Sequence, residues 1–321
     1  MDSSNFVAVG GEEAVSLGAV GFVAIMGQVN VGKSTLLNAI LGEKIAIVTP
    51  KSHTTRNRIL GIKTSKDSQV IFVDTPGFVS RGRRSALTAM LERETQSASA
   101  EVDVAMLVVD GPKAIRDSQY ASQVFGLWRS KHLRFPDIIC INKVDLIDKR
   151  LLLPVIAALN AEFGEHGIKV DIVPISAKTG DGLEVLETAI LARLAPGPKL
   201  FPDDVVTDQT ERGLVSEIIR EKLFMYLSQE LPYSLAVEVE SWEEKGELLN
   251  IGVVIYVERE SQKGIVIGAK GAMLKKVGVA ARRELEAFFG VQVNLRLFVR
   301  VQADWTSSGE GMARVGIRSN K

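Results

Sequence analysis

The sequence contains a single cysteine, Cys140, among 321 residues. One cysteine can form neither an internal disulfide nor a cysteine-rich metal site, and this one lies in an apolar run, so we expect it to pack as a small hydrophobic side chain. A reducing, cytoplasmic compartment fits this composition. No apolar stretch approaches the roughly 18 residues that a membrane-spanning helix needs.

Neither sign of charge is in excess, because Lys+Arg and Asp+Glu both number 39. Overall charge therefore does not indicate an acidic partner, and any basic surface must be local. Hydrophobic residues make up 46% and charged residues 24% of a chain that is long enough for two cores, which is typical of a globular protein. Residues 1–20 contain no Lys or Arg, so they resemble neither a secretory signal nor a transit peptide, and we predict a flexible leader.

Residues 27–34 read GQVNVGKS and fit the pattern G-x-x-x-x-G-K-[ST]. An apolar run, residues 22–26, predicts a buried strand before them, and a helical pattern follows. Glycines allow close approach of the backbone to phosphate oxygens, and N–H groups at the helix start point at the anion. An ordinary glycine turn is the alternative, but the flanking pattern favours a phosphate loop in which Lys33 reaches the β- and γ-phosphates and Ser34 ligates Mg²⁺.

Residues 21–195 alternate strand-like and helical patterns, which predicts a mostly parallel sheet with helices on both faces. The predicted strands are 22–26, 70–73, 105–109, 138–141 and 170–175, with residues 58–62 as an antiparallel edge strand. Predicted helices include 118–128, 151–163 and 182–194. Functional residues in such a fold collect in the loops after the carboxyl ends of the strands.

The second of these loops reads Asp74-Thr75-Pro76-Gly77 and follows the strand at 70–73. An aspartate there is placed to hold Mg²⁺, and the N–H of Gly77 can meet a γ-phosphate. A switch of this kind also needs a mobile threonine whose hydroxyl meets Mg²⁺ only in the triphosphate state. We predict Thr55 for this role, with Thr54 as the second choice, and we interpret the neighbouring His53 as a solvated loop residue.

The later loops predict a guanine site. Asn142-Lys143-Val144-Asp145 follows the strand at 138–141, and the Asp145 carboxylate can accept both donors of guanine N1 and N2. Adenine would repel that carboxylate. Lys143 can lay its alkyl stem over the base, and an N–H of Ser176-Ala177-Lys178 can meet guanine O6. The predicted nucleotide contacts are Gly27, Gln28, Val29, Asn30, Val31, Gly32, Lys33, Ser34, Thr35, Asp74, Gly77, Asn142, Lys143, Asp145, Ser176, Ala177 and Lys178.

These five loops, in this order, resemble the translation-factor-related branch of the Ras-like GTPase superfamily. The resemblance implies GTP and Mg²⁺ binding, with Ser34, Thr55 and Asp74 at the metal, and slow hydrolysis that drives a switch. Ras-type enzymes carry a water-orienting glutamine directly after D-x-x-G, where this sequence has Phe78. In some relatives with a hydrophobic residue there, the counterpart of Asn30 coordinates K⁺. The predicted catalytic set is Asn30, Lys33, Thr55 and Gly77.

Residues 196–206, rich in proline, predict a short, semi-stiff linker to a second domain at 207–303. That domain reads as helix, two strands, two helices and a strand, with the glycine loop Gly268-Ala269-Lys270-Gly271 between the later helices. Residues 258–300 hold nine Lys/Arg against four Glu, whereas 207–257 hold four Lys/Arg against ten Asp/Glu. A segregated basic face beside a glycine loop favours RNA binding over a solvated helix surface.

The second domain resembles a type II KH domain, a smaller α+β fold that holds single-stranded RNA along its G-x-x-G groove. The predicted RNA contacts are Lys263, Gly268, Ala269, Lys270, Gly271, Lys275, Lys276 and Arg282. A GTPase domain with one such domain resembles a bacterial family of ribosome-assembly GTPases, which implies the 3′ end of 16S rRNA and the 30S subunit as partners. A weak peripheral membrane association is attributed to that family, although no amphipathic anchor is visible. We expect a monomer, with a C-terminal tail at 304–321 that is mobile beyond Trp305.

Two alternative functions remain at this stage. The first is a tRNA-modification-related GTPase, which would need a catalytic cysteine or a cofactor module. The second is an RNA-binding module in which the nucleotide is only structural.

Overall fold

The computed structural model describes residues 18–49, 59–75, 77, 95, 102–130, 134–228, 231–307 and 309–315. The predictions for Thr54, Thr55, His53 and Phe78 lie outside these residues, as does most of the predicted leader. Only Gly18, Ala19 and Val20 of the leader are described, and they belong to the first strand rather than to a flexible segment.

A seven-stranded sheet forms the first domain, with the strand order β2-β3-β1-β4-β5-β6 and β7 paired to the start of β1. Within this path only β2 and β3 pair antiparallel, which confirms the predicted edge hairpin. The strands are β1 (Gly18–Gly27), β2 (Ile59–Ser65), β3 (Ser68–Asp74), β4 (Val104–Asp110), β5 (Ile138–Asn142), β6 (Asp171–Pro174) and β7 (Pro196–Gly197).

Helices cover both faces of this sheet. They are α1 (Lys33–Leu41), α2 (Gly111–Arg116), α3 (Tyr120–Ser130), α4 (Leu152–Gly164) and α5 (Leu183–Leu191). One core lies against α1 and α5 and the other against α3 and α4. The strands between them are buried on both faces, which explains why they read as continuous apolar runs. Cys140 is fully buried in β5, as predicted, and burial raises the pKa of its thiol.

The segment predicted as a semi-stiff linker is bonded along the first domain. The buried side chain of Gln69 in β3 accepts hydrogen bonds from the N–H groups of Leu200 and Phe201, at 2.7 and 2.9 Å, and donates to the carbonyl of Phe201 at 2.8 Å. Further along, the N–H of Ile62 donates to the carbonyl of Val206 at 2.9 Å. The connector is therefore part of the domain's hydrogen-bonding pattern rather than a spacer.

The second domain has the predicted order of helix, two strands, two helices and a strand. Its elements are α6 (Glu211–Tyr226), β8 (Ala236–Lys245), β9 (Leu248–Val257), α7 (Glu260–Ile267), α8 (Ala272–Phe289) and β10 (Gln292–Val301). The sheet order is β10-β9-β8, with β10 parallel to β9 and β8 antiparallel to it. The three helices pack on one face of this sheet around a separate core.

The prediction of a mobile tail is wrong for the part that the structure describes, residues 306–307 and 309–315. Trp305 is fully buried, and a short helix, α9 (Gly309–Arg314), follows it. Met312 and Val315 pack with Trp305 against Ala236 of β8. The glycines and serines of the tail suggested mobility, but three large apolar side chains are enough to fix this stretch on the sheet.

An ionic network joins the two domains. The Lys44 ammonium, in the loop after α1, lies 2.8 Å from Glu221 of α6 and 2.6 Å from Glu284 of α8. Lys222 contacts the same two carboxylates. Burial alone would raise the pKa of Glu284, but hydrogen bonds from Lys222 and Lys44 outweigh it and lower that pKa. The same carboxylates raise the pKa of Lys222 against the opposing effect of its burial.

Candidate nucleotide site and nucleic-acid groove

The phosphate loop runs from the end of β1 to the start of α1 in the predicted strand–loop–helix context. A Cβ on Gly27 would lie 2.4 Å from the carbonyl oxygen of Val108, and one on Gly32 would lie 2.4 Å from Nδ2 of Asn142. Both glycines also have positive φ, as does Asn30 at 63°. Only glycine fits these two positions, so the loop forms a tight cradle of backbone N–H groups.

Lys33 occupies the centre of this cradle and is 7% exposed. Its ammonium donates to the carbonyls of Gly27 and Gln28, at 3.2 and 3.1 Å. A Cβ on Gly77 would lie 3.0 Å from that ammonium, so the backbone of Gly77 lies next to Lys33. Burial lowers the pKa of Lys33 to about 8, although Asp74 opposes the shift. An anion at this point would favour the charged lysine.

The two described members of the predicted metal site are adjacent. Oγ of Ser34 donates to Oδ2 of Asp74 at 2.8 Å, and Asp74 is fully buried. A hydroxyl and a carboxylate are hard oxygen donors that fit Mg²⁺. The hydroxyl of Thr75 donates to the carbonyl of Ile25 at 3.0 Å and fixes the loop that follows Asp74. Mg²⁺ held by these two residues would offset the negative charge of bound phosphates.

The base-recognition loops meet at the ends of β5 and β6. Nδ2 of Asn142 donates to the carbonyl of Val31 at 2.8 Å, while its Oδ1 accepts from the N–H of Ala177 at 2.9 Å. Oγ of Ser176 donates to Oδ1 of Asp145 at 2.7 Å. Asn142 therefore ties three loops together, as predicted, and Ser176 orients the carboxylate that would read guanine. Asp145 and Lys178 are exposed, as contact with a ligand requires.

The remaining predicted members are in place. Gln28, Val29 and Thr35 lie in the loop and the first helical turn, partly exposed. Val31 is fully buried, so it can contribute only its backbone to a ligand. Asp110, at the end of β4, was missed by sequence reasoning and contacts Lys143. In the sequence, its position directly after the apolar strand at 105–109 was the one feature that could have identified it.

In the second domain, the G-x-x-G loop has a backbone that restricts its sequence. Gly268, Lys270 and Gly271 have φ of 72°, 49° and 78°. A Cβ on Gly268 would lie 2.7 Å from Cβ of Met273, whereas nothing lies within 4 Å of the corresponding point on Gly271. Gly271 caps α8, so the free N–H groups of that helix open beside an accessible loop.

A groove of about 310 Å³ runs from this loop between α8 and β10. It is lined by Gly271, Leu274, Lys275, Gly278, Val279, Arg282, Leu295 and Leu297. The apolar floor and the two basic side chains suit a strand of bases with its phosphates at the rim. Gly271, Lys275 and Arg282 were predicted; the apolar members were not, because a leucine gives no separate signal for a groove.

Lys276, also predicted as an RNA contact, does not line the groove. Its ammonium lies 4.2 Å from the centroid of the Tyr226 ring on α6. Its neighbour Lys275 lines the groove, whereas the ammonium of Lys276 lies over the Tyr226 ring. Lys263, on α7, lies 3.9 Å from Glu260 and is not a lining residue. Ala269 and Lys270 are exposed in the loop itself.

In the part of the chain that the structure describes, no helix is long and apolar enough to cross a membrane.

Comparisons with known proteins match both domains. The family model described as a 50S ribosome-binding GTPase matches residues 22–143, and a KH domain model matches residues 230–306. GTPase Era of Syntrophus aciditrophicus is 43% identical over 92% of this chain and 94% of its own length. GTPase Era of Geobacter metallireducens is 44% identical over 92% of this chain and 97% of its own length.

Solved structures give the same result. A crystal structure of Aquifex aeolicus Era bound to GDP·AlF4⁻ matches with a TM-score of 0.86 and 37% identity, covering 94% of this chain and 99% of that one. A structure of Era in complex with MgGDPNP and nucleotides 1506–1542 of 16S ribosomal RNA matches with a TM-score of 0.86 and 38% identity over the same shares of the two chains.

Fold and site together define a P-loop GTPase that carries a C-terminal KH domain. Within that class, the chain belongs to the GTPase Era family.

Proposed function

We propose that this protein is a GTP-hydrolysing switch that binds 16S rRNA near its 3′ end through the KH groove and acts in assembly of the 30S subunit. The observation that carries the proposal is the combination, in one chain, of an assembled guanine-nucleotide site and a basic-rimmed KH groove. The relative solved with MgGDPNP and a 16S rRNA segment supports the choice of RNA. We place its action in the cytoplasm as a monomer.

In the nucleotide site, the phosphate loop and Lys33 bind the phosphates, and Asp145 selects guanine. Ser34 and Asp74 hold Mg²⁺, joined in the triphosphate state by Thr55. Hydrolysis needs an in-line water and stabilisation of the charge that develops on the transferred phosphoryl group. Lys33 and the N–H of Gly77 supply that stabilisation, which the proximity of the Gly77 backbone to the ammonium supports.

A second cation extends this proposal. Asn30 has a positive φ at the exposed tip of the phosphate loop, where its side chain can act as a ligand of K⁺. K⁺ there would supply the charge that an arginine supplies in other GTPases. The test is the steady-state rate of phosphate release in K⁺ and in Na⁺, with Asn30→Ala for comparison. A rate that does not respond to the cation would refute the role of K⁺ alone.

Nucleotide identity is tested with Asp145→Asn. The carboxylate accepts both N–H donors of guanine, whereas an amide would present one donor that suits the C2 carbonyl of xanthine. We expect binding of GDP to weaken by about a hundredfold or more and binding of xanthosine diphosphate to strengthen, both measured by calorimetry. Equal losses for the two nucleotides would mean that Asp145 supports the fold rather than the base contact.

RNA binding is tested with a labelled oligonucleotide of the 16S rRNA 3′ end, with the full chain loaded with a GTP analogue or GDP. Gly271→Asp places a carboxylate at the open end of the groove, so we expect affinity to fall by about tenfold or more. Gly246→Asp is the matched control, because Gly246 also has a positive φ and open space but lies in the β8–β9 turn. Equal effects of the two variants would contradict the groove assignment.

The same experiments separate the two alternatives. RNA binding without steady-state phosphate release would indicate a module whose nucleotide is structural. Phosphate release with preference for a tRNA over the 16S oligonucleotide would indicate a tRNA-modification-related GTPase.

A further inference from the structure

The buried carboxylate of Asp110 holds the side chain of Lys143. Asp110 ends β4 and is 4% exposed, and its Oδ2 lies 2.6 Å from Nζ of Lys143. Removing a carboxylate from water costs several kcal/mol unless a cation and hydrogen bonds compensate. This ion pair is therefore a fixed feature of the site, in contrast to a surface pair such as Lys149 with Asp181 at 3.5 Å.

Both carboxylate oxygens and the backbone N–H of Asp110 have partners. Oδ1 accepts from the N–H of Lys113 at 3.0 Å and so caps α2, which leaves Oδ2 for the lysine. The backbone N–H of Asp110 donates to the hydroxyl of Tyr120 at 3.0 Å. These contacts fix both the position and the rotation of the carboxylate.

Lys143 is held at both ends. Its backbone is in the left-handed region, with φ of 69°, and its ammonium also donates to the carbonyl of Asn30 at 2.6 Å. The alkyl stem is thus stretched from the base-recognition loop to the tip of the phosphate loop. In this position it crosses the space between the groups that would bind the base and those that would bind the phosphates.

The residue after Asp110 reinforces this arrangement. A Cβ on Gly111 would lie 2.8 Å from the carbonyl oxygen of Asn142, so β4 ends directly beneath the base-recognition loop. Asn142 in turn bonds the carbonyl of Val31 at 2.8 Å. The end of β4 therefore supports both loops of the nucleotide site, although it contains none of the motif residues.

We propose that Asp110 is a positioning residue that holds Lys143 across the guanine nucleotide and thereby slows nucleotide release. The inference rests on the guanine-nucleotide site proposed above. Asp110 does not touch the reacting atoms, so it acts on affinity rather than on the chemical step.

The test is Asp110→Asn in the full chain. The amide oxygen can still cap α2, but the negative charge that holds Lys143 is lost. We expect dissociation of a fluorescent GDP analogue to accelerate by about tenfold, while the turnover number at saturating GTP changes by less than about threefold. Asp171→Asn is the matched control, because it removes a carboxylate that pairs with Arg193 at 2.6 Å at the start of β6, away from the nucleotide loops. We expect its release rate to stay within about twofold of the wild type.

A double-mutant cycle distinguishes positioning from general support of the fold. If Asp110 acts through Lys143, adding Asp110→Asn to Lys143→Ala accelerates release by less than about twofold further. Effects that multiply would overturn the proposal. Asp110→Ser, which keeps a capping oxygen, is measured in parallel in case the asparagine variant does not fold.

The outcomes separate this inference from the proposal beneath it. A wild-type protein that binds no guanine nucleotide would refute the nucleotide site itself. A wild type that binds GDP, with both Asp110 variants releasing it at the wild-type rate, would refute only the role of Asp110.

Discussion

The backbone N–H of Val48 donates a hydrogen bond to Oε2 of Glu221, at 3.3 Å across 173 positions of sequence. Val48 precedes the segment that contains Thr55, and Glu221 belongs to the first helix of the KH domain. On the far side of that segment, the N–H of Leu60 donates to Oδ1 of Asp208 at 3.0 Å. The residues on both sides of the segment predicted to sense the γ-phosphate are thus bonded to the start of the KH domain. We therefore predict that the nucleotide state changes RNA affinity through these contacts.

Glu221→Gln tests this coupling. Glu221 is 2% exposed and accepts from Val48 and Lys44, so the neutral amide should weaken the contact between the domains. We expect the ratio of RNA affinities in the GTP-analogue and GDP states to move toward one, with a loss of stability of about 1–3 kcal/mol. The readout is RNA binding in the two nucleotide states.

Glu187→Gln is the control for that variant. It removes a carboxylate that pairs with Lys63 at 2.7 Å inside the GTPase domain, so it should leave the ratio unchanged. A ratio in Glu221→Gln equal to the wild-type value would show that the interdomain contact does not carry the coupling.

The lowered pKa of Lys33 predicts that the protein takes up a proton when it binds nucleotide at high pH. Burial lowers its pKa to about 8 in the free protein, and bound phosphates favour the charged form, so binding above that pH takes up a proton. Affinity for GDP should then fall by up to about tenfold for each pH unit above about 8, while it responds little below. Calorimetry at pH 9 in two buffers of different ionisation enthalpy measures the uptake directly, and identical apparent enthalpies would contradict it.

Raising the pH weakens the binding of GDP through Lys33, but it makes the nucleotide-free protein more stable through the same lysine. The folded-state pKa of Lys33 lies below the ordinary lysine value of 10.5, so the unfolded chain binds more protons between about pH 8 and 10.5. The contribution of Lys33 to the free energy of unfolding therefore becomes more favourable as pH rises through that window. Urea unfolding of wild type and Lys33→Met across this range isolates the contribution, because methionine does not titrate.

Gly278→Ala separates groove function from stability. Gly278 lies in the interior of α8 and lines the groove, and a Cβ there would lie 3.4 Å from Cδ1 of Leu297, which is ordinary contact. Alanine should stabilise the helix by about 0.5–1 kcal/mol while its methyl occupies space that a base would use. We expect a higher melting temperature together with weaker binding of the 16S oligonucleotide.

Gly126→Ala is the matched control. Gly126 lies in the interior of α3, and a Cβ added there would have nothing within 4 Å. It should stabilise the protein without changing RNA affinity. If both variants bind RNA as the wild type does, Gly278 does not contribute to a base-binding floor.

The sequence was most informative where function depends on local pattern. The phosphate loop and Asn142–Asp145 were predictable because each is a short motif after an apolar strand, and the order of the strands brings them to one sheet edge. The role of Asp110 was not predictable, because a single aspartate after a strand forms no recognisable motif. Its role follows only from its short distance to Lys143 in the structure. The fixed linker likewise depends on one buried glutamine, Gln69, that tertiary contacts alone identify.

Lys276 and the tail show a similar dependence on single side chains. Net charge counts Lys275 and Lys276 alike, whereas in the structure Lys275 lines the groove and Lys276 lies over Tyr226. Composition suggested a mobile tail beyond Trp305, although Met312 and Val315 pack on that tryptophan. In both cases, the net charge or composition of a whole segment did not show what a single side chain contacts.

Trp305→Ala tests whether this anchored tail stabilises the KH domain. The indole is fully buried among Ala236, Met312 and Val315, and its N–H donates to the carbonyl of Ser234 at 3.3 Å. A Cβ on Gly311 would lie 2.7 Å from the carbonyl oxygen of Trp305, so α9 packs closely on it. Replacing a buried tryptophan by alanine should lower the free energy of unfolding by about 3–5 kcal/mol.

Urea unfolding, followed by fluorescence of the remaining tryptophans, measures this loss. Phe298→Ala is the control, because Phe298 is 51% exposed on the same domain. Equal, small losses in the two variants would mean that Trp305 and the side chains packed on it do not contribute to the core. In that case, RNA affinity should not depend on the tail either.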